Sequence, residues 1–458
     1  MNNSFDDVII GISTALAEGA ISIIRLSGKG CIEIANKSFK GKNLTKVNSH
    51  TINYGFIVDN NKEIIDEVLV SVFKAPKTYT TEDVVEINCH GGIITTNRIL
   101  ETMLNNGARL AEPGEFTKRA FLNGRIDLVK SEAVMDLIES KSDEARKVAL
   151  SQLGGRTSSL ITTFRDTLKQ LLSSIEVNID YPEYYDIEVM TIEKIKEQVS
   201  KMKIELEKLV KESENTTIIR DGIKTVIIGK PNVGKSSILN KLLEKDKAIV
   251  TDIAGTTRDI VEGQISINGI LLNMIDTAGI RETDDKIEAI GVEKSIKMMN
   301  ESDLVLFVLN NNEPITDDIR TLLNQLNGKN YIIIINKNDL ERKLNLDGMP
   351  VDKSSIINMS ILNNEGIEEL KAKIVELFNI SQIETTDPTY LSNARSISIL
   401  ESCLESINEV EKGLGNNQPI DMIELDIKHI WEKLGTINGT TYEEELLDEM
   451  FKRFCLGK

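Results

Sequence analysis

The feature that most constrains the fold is an apolar run that leads directly into a glycine-rich loop. Val226–Gly229 is almost entirely apolar, and residues 229–236 read GKPNVGKS. A buried strand followed by GxxxxGK[ST] and a helix predicts the phosphate-binding loop of an α/β domain. Its backbone N–H groups would hold the α- and β-phosphates, Lys235 would reach the β- and γ-phosphate oxygens, and Ser236 would bind Mg²⁺. Taken alone, the same letters also occur as an ordinary glycine turn.

Three more motifs follow in the order that a guanine-nucleotide domain requires. Residues 255–259 read GTTRD, where Thr257 would complete the coordination of Mg²⁺, and residues 276–279 read DTAG after the apolar run Ile270–Ile275. Asp276 would hold Mg²⁺ through water, and the Gly279 N–H would meet the γ-phosphate. Residues 336–339 read NKND, and Asp339 would accept hydrogen bonds from guanine N1–H and N2–H, which adenine lacks. The four motifs together predict a GTP-binding domain.

A fifth element is Ser360, whose backbone is expected to contact guanine O6. The next residue, Ile361, is bulkier than the alanine that is usual there. The nucleotide-binding residues predicted from these motifs are Asn232, Val233, Gly234, Lys235, Ser236, Ser237, Thr257, Asp276, Thr277, Ala278, Gly279, Asn336, Lys337, Asp339 and Ser360, with catalytic roles for Lys235 and Thr257.

The order of sequence patterns predicts a multidomain α+β and α/β protein. Residues 1–118 mix short β-rich runs with one helix near Thr95–Asn105 and predict an α+β domain, whereas residues 119–217 are helical. Residues 218–380 alternate strands and helices as a Ras-like G domain does, and residues 381–458 are helical again. This order predicts a G domain inserted into a split helical domain.

Four predictions concern the helical segments. An apolar face begins at Ile126 and ends at Ile138, and a seam with steps of three and four residues runs from Ile192 to Leu209. That seam fits either a helix of an intramolecular bundle or a coiled coil. Glu212–Thr217 is predicted to be a polar linker. Thr441 and Glu444 are predicted to form a capping box for the last helix.

Composition favours a protein of the reducing cytoplasm. The four cysteines are scattered with no CxxC pair, the N-terminus MNNSFDDVII is acidic where a signal peptide is basic, and no apolar run approaches ~20 residues. We therefore expect a soluble cytoplasmic protein without membrane association. The formal net charge of −18 argues against a generally basic, phosphate-coating surface.

Ile280 follows the DTAG motif at the position where Ras-like enzymes carry a water-orienting glutamine. An isoleucine offers no polar group to the attacking water. The residue that orients the water, and the positive charge that assists hydrolysis, must therefore come from elsewhere.

Several motifs together resemble the MnmE (TrmE) family of tRNA-modification GTPases over essentially the whole chain. Besides the nucleotide motifs, the resemblance rests on EDVVE at 82–86 with HGG at 90–92, PGEF at 113–116, RAFLNGRIDL at 119–128, NAR at 393–395 and RFCLGK at 453–458. A C-terminal Cys-x-Gly-Lys motif in a chain that also carries such a G domain is highly specific for this family.

The resemblance implies a K⁺-dependent mechanism. K⁺ would be held by Asn232, Thr251, Ile253 and Thr256, and Thr251 and Thr256 would join the nucleotide-binding set. Glu288 would orient the attacking water, although without the resemblance it fits a solvated helix acid. The resemblance also implies a homodimer whose G domains meet across their switch regions when GTP binds.

For the N-terminal domain, the resemblance implies binding of a tetrahydrofolate derivative that donates one carbon. The folate-binding residues carried over are Arg25, Glu86, Arg125 and Lys458. Glu86 would pair with the pterin amino and ring N–H edge, and Arg25 also fits a buried ion-pair partner. The family's N-terminal PPGRG-like loop is replaced here by Ala15–Gly19. Cys455 is either a reactive thiol or a buried, inert one.

Family members act with an FAD- and NADH-dependent partner, MnmG (GidA), in a heterotetramer-type complex. The resemblance therefore implies addition of a carboxymethylaminomethyl or aminomethyl group at C5 of the wobble uridine of certain tRNAs. The alternative is a regulatory or ribosome-assembly switch GTPase without tRNA-modifying activity. Such switches usually append a basic RNA-binding module or a second G domain, and neither is evident in the sequence.

Overall fold

The computed structural model describes residues 6–180, 185–245, 263–267, 270–275, 292–378, 391, 393–454 and 457. The chain divides into two compact units. Unit 1 comprises Met1–Met135, Ser158–Thr191 and Asn417–Lys458, and unit 2 comprises Asp136–Thr157 and Ile192–Asn416. The boundaries predicted for the domains stay a prediction.

Unit 1 contains a seven-stranded sheet with two helices packed on one face. The strands are β1 Ile9–Ile12, β2 Gly19–Ser27, β3 Phe39–Gly41, β4 Thr51–Val58, β5 Ile64–Phe73, β6 Val84–Gly91 and β7 Arg109–Leu110, in the order β3-β4-β5-β6-β2-β1-β7. The pair β1–β7 is parallel and the other pairs are antiparallel. The helices are α1 Cys31–Ser38 and α2 Ile93–Asn105, so the predicted α+β character of this region is confirmed.

Alternation along β2 and β6 gives the two faces of this sheet different chemistry. Ile24, Leu26 and Ile87 are fully buried in the core with α1 and α2. Arg25 and Glu86 are opposite each other in the β2–β6 register and project to the other face, because successive side chains in a strand alternate. The polar candidates therefore lie on the sheet face that the core leaves uncovered.

The helices that follow in the chain are α3 Glu115–Leu122, α4 Leu128–Glu139, α5 Asp143–Leu153 and α6 Arg156–Asp180. Two sequence expectations fail here. The apolar face of α4 ends before Ile138, which is 46% exposed, and Leu128 and Met135 are buried instead. The helix starts at Leu128, so Ile126 lies in the preceding turn.

The last two helices are α13 Ile420–Asn438 and α14 Glu444–Phe451. Leu447, Phe451 and Phe454 pack with Phe121 and Leu128 in one cluster of unit 1. The predicted capping box is wrong. Glu443, and not Thr441, occupies the N-cap position of α14, and no side-chain hydrogen bond caps the helix. Packing of the apolar face thus determines where this short helix lies.

Unit 2 is built around a six-stranded α/β sheet. Its strands are β8 Ile223–Ile228, β9 Gln264–Ile267, β10 Ile270–Met274, β11 Leu304–Asn310, β12 Tyr331–Asn336 and β13 Ile356–Asn358, in the order β13-β12-β11-β8-β10-β9. Only the β9–β10 pair is antiparallel among the described strands. The helices are α8 Lys235–Lys245, α9 Val292–Glu301, α10 Asp317–Asn324 and α11 Ile367–Leu377. The predicted α/β fold of this region is confirmed.

The remaining helices are α7 Tyr185–Asp221 and α12 Ala394–Gly415. The seam of α7 is buried at Ile195, Val199, Met202, Leu206 and Leu209 by the chain itself, as expected of a bundle helix. The predicted linker at 212–217 is wrong, since α7 continues through it. The hydroxyl of Thr216 donates to the carbonyl of Glu212 (2.9 Å), which lets polar side chains remain within the helix.

None of the described helices is long and apolar enough to cross a membrane.

Candidate nucleotide site and candidate ligand cavity

The phosphate loop turns sharply between β8 and α8. Gly234 has φ +101°, and a Cβ there would lie 2.3 Å from Nδ2 of Asn336. Asn232 also has a positive φ of 58°, a conformation that asparagine tolerates better than most residues. Val233, between them, is buried. Position 234 therefore requires glycine, and the loop backbone is shaped by sterics rather than by side chains.

Lys235 begins α8 and folds its side chain over the loop. Its Nζ donates to the carbonyl oxygens of Gly229 (2.8 Å) and Lys230 (2.7 Å). Ser236 and Ser237 follow in the first turn of the helix with exposed side chains. The ammonium, the hydroxyls and the helix N-terminus thus meet at one end of the sheet, which is the chemistry that phosphates and Mg²⁺ require.

A second loop, after β12, is bonded directly to the first. Asn336 donates from Nδ2 to the carbonyl of Val233 (2.7 Å). Its Oδ1 is buried and accepts no hydrogen bond from the described residues. Such an acceptor is costly to bury unless a ligand satisfies it.

Asp339 lies at the end of the same loop, next to Ser360. The Ser360 hydroxyl is fully buried and donates to Oδ1 of Asp339 (2.6 Å), and the Asn338 N–H donates to the Met359 carbonyl (3.1 Å). Asp339 itself is exposed. The predicted phosphate-binding and guanine-binding residues are therefore on adjoining loops, and one edge of Asp339 is fixed by Ser360.

Asn311 supports the second loop, and sequence analysis did not identify it. Its N–H donates to the carbonyl of Asn336 (2.9 Å) and its Nδ2 donates to the carbonyl of Leu340 (3.0 Å). It is 3% exposed. The sequence feature that could have identified it is the run of three asparagines at 310–312, at the end of a buried strand. A buried polar side chain there must find backbone partners.

Several predicted residues lie outside the described residues, and nothing is said of their placement. They are Thr251, Ile253, Thr256, Thr257, Asp276, Thr277, Ala278, Gly279, Ile280, Glu288, Cys455 and Lys458.

A cavity of about 580 Å³ lies in unit 1 on the sheet face opposite α1 and α2. It is lined by His50, Phe73, Pro76, Lys77, Thr78, Tyr79, Thr81, Val84, Glu86, Asn123, Gly124 and Arg125. A carboxylate, two cations and several rings therefore share one cavity. Glu86 and Arg125 were predicted from the resemblance, whereas Tyr79 and the rings of His50 and Phe73 were not.

Arg25 lies beside the cavity and is paired with Glu86. Its Nε and Nη2 both lie 2.9 Å from Oε1 of Glu86. The guanidinium carbon is also 5.7 Å from the ring centroid of Phe116. The geometry thus shows an ion pair between Arg25 and Glu86, which fixes the carboxylate that lines the cavity, and the folate contact of Arg25 stays a prediction.

The segment that forms one wall of the cavity, residues 76–83, is held by residues from both earlier and later in the chain. Asn123 donates from Nδ2 to the carbonyl of Thr80 (2.7 Å). Glu82 accepts from the hydroxyl of Ser27 (2.7 Å) and from Nη1 of Arg119 (3.3 Å). Arg119 and Asn123 belong to the RAFLN motif noted in the sequence, so their contacts give that motif a physical role.

Arg119 is fully buried in unit 1 and is surrounded by carboxylates. Its Nη2 donates to Oδ1 of Asp7 (2.7 Å) and to Oε1 of Glu115 (3.0 Å). Arg109 donates to the same two carboxylates at 2.6 Å each. Burial raises the pKa of both acids, but the hydrogen bonds from these arginines outweigh it and hold each pKa below its ordinary value.

The C-terminal tail contacts the end of β1. The Ser13 hydroxyl donates to the carbonyl of Gly457 (3.1 Å). Gly457 has φ +86°, and a Cβ on it would lie 2.1 Å from the carbonyl oxygen of Ile12. Only glycine fits at position 457, where the backbone of the tail approaches that of Ile12 so closely.

No group of three or more His, Cys, Asp or Glu side chains among the described residues could hold a metal ion. A Mg²⁺ or K⁺ site at the phosphate loop would instead use hydroxyl, amide and carbonyl oxygens together with phosphate oxygens. Ser236 and Asn232, both exposed at the loop, supply donors of that kind.

Comparison with known proteins identifies the family. A family model described as the MnmE helical domain matches residues 128–455, and one described as the GTP-binding protein TrmE N-terminus matches residues 8–125. The tRNA modification GTPase MnmE of Streptococcus thermophilus is 54% identical over 454 residues, covering 99% of this chain and 98% of that protein. The one of Bacillus cytotoxicus is 50% identical over 455 residues, covering 99% of each.

Among solved structures, the G domain of FeoB from Methanococcus jannaschii aligns with 34% of this chain and 98% of its own, at 25% identity and a TM-score of 0.23. The family assignment rests on the sequence relatives, which span nearly the whole chain at half identity or more. The resemblance noted from the motifs is confirmed, and the chain belongs to the MnmE family of tRNA modification GTPases.

Proposed function

We propose that this member of the family is a K⁺-dependent GTP hydrolase that acts with an MnmG partner to add a carboxymethylaminomethyl or aminomethyl group at C5 of the wobble uridine of certain tRNAs. The observation that best supports GTP as its nucleotide is the bond between the two loops, from Asn336 to the carbonyl of Val233. This bond couples the loop proposed to hold the phosphates to the loop that carries Asp339, proposed to accept from guanine.

In this proposal, the residues of the chain orient GTP and the attacking water. Lys235 exchanges its two loop carbonyl partners for β- and γ-phosphate oxygens. Asp339 selects guanine because its carboxylate accepts from the N1–H and N2–H groups, which adenine lacks. Ser236 and Thr257 would hold Mg²⁺, which would neutralise charge on the phosphates when bound.

The proposed water-orienting residue is Glu288, and the proposed K⁺ ligands are Asn232, Thr251, Ile253 and Thr256. Amide, hydroxyl and carbonyl oxygens suit a large, weakly hydrated cation. Thr251, Thr256, Asp276, Thr277, Ala278 and Gly279 complete the proposed nucleotide contacts.

Hydrolysis measured in KCl and in NaCl at equal ionic strength tests this mechanism. We expect GTP turnover at least about tenfold faster in KCl, since removing a charge that assists phosphoryl transfer costs several orders of magnitude in rate. Glu288→Ala should abolish turnover in KCl while GTP binding stays within about twofold. Asp284→Ala, a nearby acid, is the matched control and should hydrolyse normally. Equal rates in the two salts would reject the K⁺ assignment.

The cavity in unit 1 supports binding of a tetrahydrofolate derivative. A reduced folate is a flat heterocycle with an amino and N–H edge, joined to an acidic tail. Glu86 offers a carboxylate for that edge, and Arg125 and Lys77 offer cations for the tail, all within about 580 Å³. We propose Arg25 as the residue that orients Glu86, and Lys458 as a further contact.

Isothermal titration of the full chain with 5-formyltetrahydrofolate tests this site. Binding by the wild type and at least about tenfold weaker binding by Glu86→Gln are expected, because the amide cannot accept both N–H groups. Glu101→Gln, an exposed acid on α2, is the control. A wild type that does not bind would reject the folate assignment.

The proposed assembly is a homodimer that joins MnmG in a heterotetramer-type complex, with FAD and NADH brought by the partner and tRNA as substrate. The net charge of −18 supports a division in which the partner makes most contacts with the tRNA backbone. Light scattering of the chain alone and mixed with MnmG would measure both stoichiometries. We also propose a cytoplasmic location, and a functional thiol at Cys455 near the C-terminus.

A further inference from the structure

Tyr79 lies against two arginines at the cavity of unit 1. The guanidinium carbon of Arg25 is 5.5 Å from the Tyr79 ring centroid, and that of Arg125 is 4.9 Å from it. Both distances are within the range of a favourable cation–π contact. Neither the sequence motifs nor the proposed folate ligands include Tyr79.

Tyr79 is held at both ends. Its hydroxyl shares a 2.9 Å hydrogen bond with Oγ1 of Thr117, which is fully buried on α3. Its main-chain oxygen accepts from Nη1 of Arg125 (2.9 Å). The ring is therefore a fixed surface, whereas the long side chain of Arg125, which is exposed, would otherwise sample many rotamers.

The two arginines are engaged to different degrees. Arg25 directs Nε and Nη2 to Glu86 and has a second ring, Phe116, beside it. The hydrogen bond that Arg125 makes among the described residues goes to the Tyr79 carbonyl. A guanidinium has five N–H donors, so Arg125 retains several for an anion in the cavity that it lines.

We propose that Tyr79 is a positioning residue of this cavity. Its ring and main-chain oxygen orient Arg125 toward the acidic end of the ligand, and the same ring supports the Arg25–Glu86 pair at the heterocyclic end. The inference rests on the proposed folate function, since the acidic tail is what Arg125 would bind.

Isothermal titration of the full chain with 5-formyltetrahydrofolate provides the test. Tyr79→Leu should bind roughly tenfold more weakly, which corresponds to the loss of two cation–π contacts of ordinary strength. Tyr79→Phe keeps the ring and should stay within about threefold of the wild type, since it loses a single hydrogen bond. Tyr54→Leu is the matched control, because Tyr54 is an exposed tyrosine on β4 outside the cavity lining.

A double-mutant cycle with Arg125→Ala separates positioning from general support of the fold. If Tyr79 acts through Arg125, Tyr79→Leu should cost at most about threefold in the Arg125→Ala background, because the residue that it positions is gone. Circular dichroism melting and binding of a fluorescent GDP analogue would confirm that each variant is folded.

Each outcome decides one claim. Equal binding by wild type and Tyr79→Leu would overturn the positioning role while leaving the folate site intact. Costs that multiply independently in the double variant, or a tenfold loss in Tyr79→Phe, would also overturn it. A wild type that binds no folate would reject the proposed function of the cavity, and this inference with it.

Discussion

At the scale of single residues, two candidate ligand-binding carboxylates are each fixed by a side chain from another part of the chain. Asp339 is held by the buried hydroxyl of Ser360, and Glu86 is held by Arg25. In both cases one carboxylate oxygen accepts a hydrogen bond from the protein, which fixes the orientation of the carboxylate. Pre-orientation of this kind reduces the entropy that a ligand contact must overcome.

Asp339→Asn is predicted to change which base is preferred. The amide no longer accepts from both guanine N–H groups, but it donates to a carbonyl at C2, as in xanthine. We expect GTP affinity to fall by at least about a hundredfold and XTP affinity to rise. Competition against a fluorescent GDP analogue would measure both. Unchanged discrimination between GTP and XTP would place the base-reading group elsewhere.

The residues of the two loops could be predicted from sequence because each motif specifies residue types at fixed spacing. Lys235, Asn336 and Asp339 are examples. The supporting residues could not, since Asn311 and Tyr79 contact the site through single amide and ring contacts that leave no spacing pattern. The sequence left open whether Arg25 contacts folate or forms an ion pair. The β2–β6 register places Glu86 opposite it, and the folate role stays a prediction.

At the scale of elements, the helical spacing of buried positions in α7 continues into a stretch where those positions are polar. The steps of three and four residues that end at Leu209 continue to Ser213 and Thr216, both almost fully buried. Composition alone indicated a linker there. The hydroxyl of Thr216 donates to the carbonyl of Glu212 in the helix backbone, and the hydroxyl of Ser213 accepts from the N–H of Leu391 (2.9 Å). Periodicity was the better guide than polarity.

Ser213→Ala is predicted to destabilise unit 2. Removing the hydroxyl leaves the buried N–H of Leu391 without its acceptor, at a cost of about 1–3 kcal/mol in the free energy of unfolding. Urea unfolding followed by circular dichroism would measure it. Thr217→Ala is the comparison, since the bond that its hydroxyl makes among the described residues lies within α7, and it should cost less than about 1 kcal/mol. Equal costs for the two variants would contradict the role of Ser213.

At the scale of the whole molecule, contacts that are distant in sequence define the units. Ser13 and Gly457 are bonded across 444 positions, and Lys118 forms an ion pair with Asp448. Local motifs in the sequence predicted a G domain and, through the family resemblance, an N-terminal folate-binding domain. The sequence also predicted that residues 119–217 and 381–458 form one split helical domain, which stays a prediction. It could not predict the contact between Ser13 and Gly457, because no local pattern records such pairing.

Unit 1 is predicted to lose stability in acid through the carboxylates around Arg119. The pKa of Asp7 and that of Glu115 are below their ordinary values in the folded chain, so the unfolded chain binds protons first as pH falls. Their contribution is therefore present at neutral pH and is lost as pH falls through about 4 and below. Urea unfolding at several pH values, followed by the fluorescence of Trp431, would show it, since Trp431 is the only tryptophan and lies in unit 1.

Three substitutions test this prediction. Glu115→Gln should flatten the dependence of unfolding free energy on pH, whereas the exposed Glu101→Gln should leave its slope as in the wild type. Arg119→Met should cost about 1.5–3 kcal/mol at neutral pH, because Glu82 and Glu115 lose a charged donor while Arg109 still pairs with Glu115 and Asp7. A slope that is unchanged in Glu115→Gln would contradict the assignment.

The central claim is that GTP hydrolysis by this chain serves modification of the wobble uridine in tRNA. Mass spectrometry of nucleosides from total tRNA tests it most directly, in a strain lacking the gene and in the same strain carrying the wild type or Lys235→Ala. The account predicts that C5-modified wobble uridines disappear in the deletion, return with the wild type and do not return with Lys235→Ala. Unchanged modified nucleosides in the deletion strain would contradict it and favour a switch GTPase.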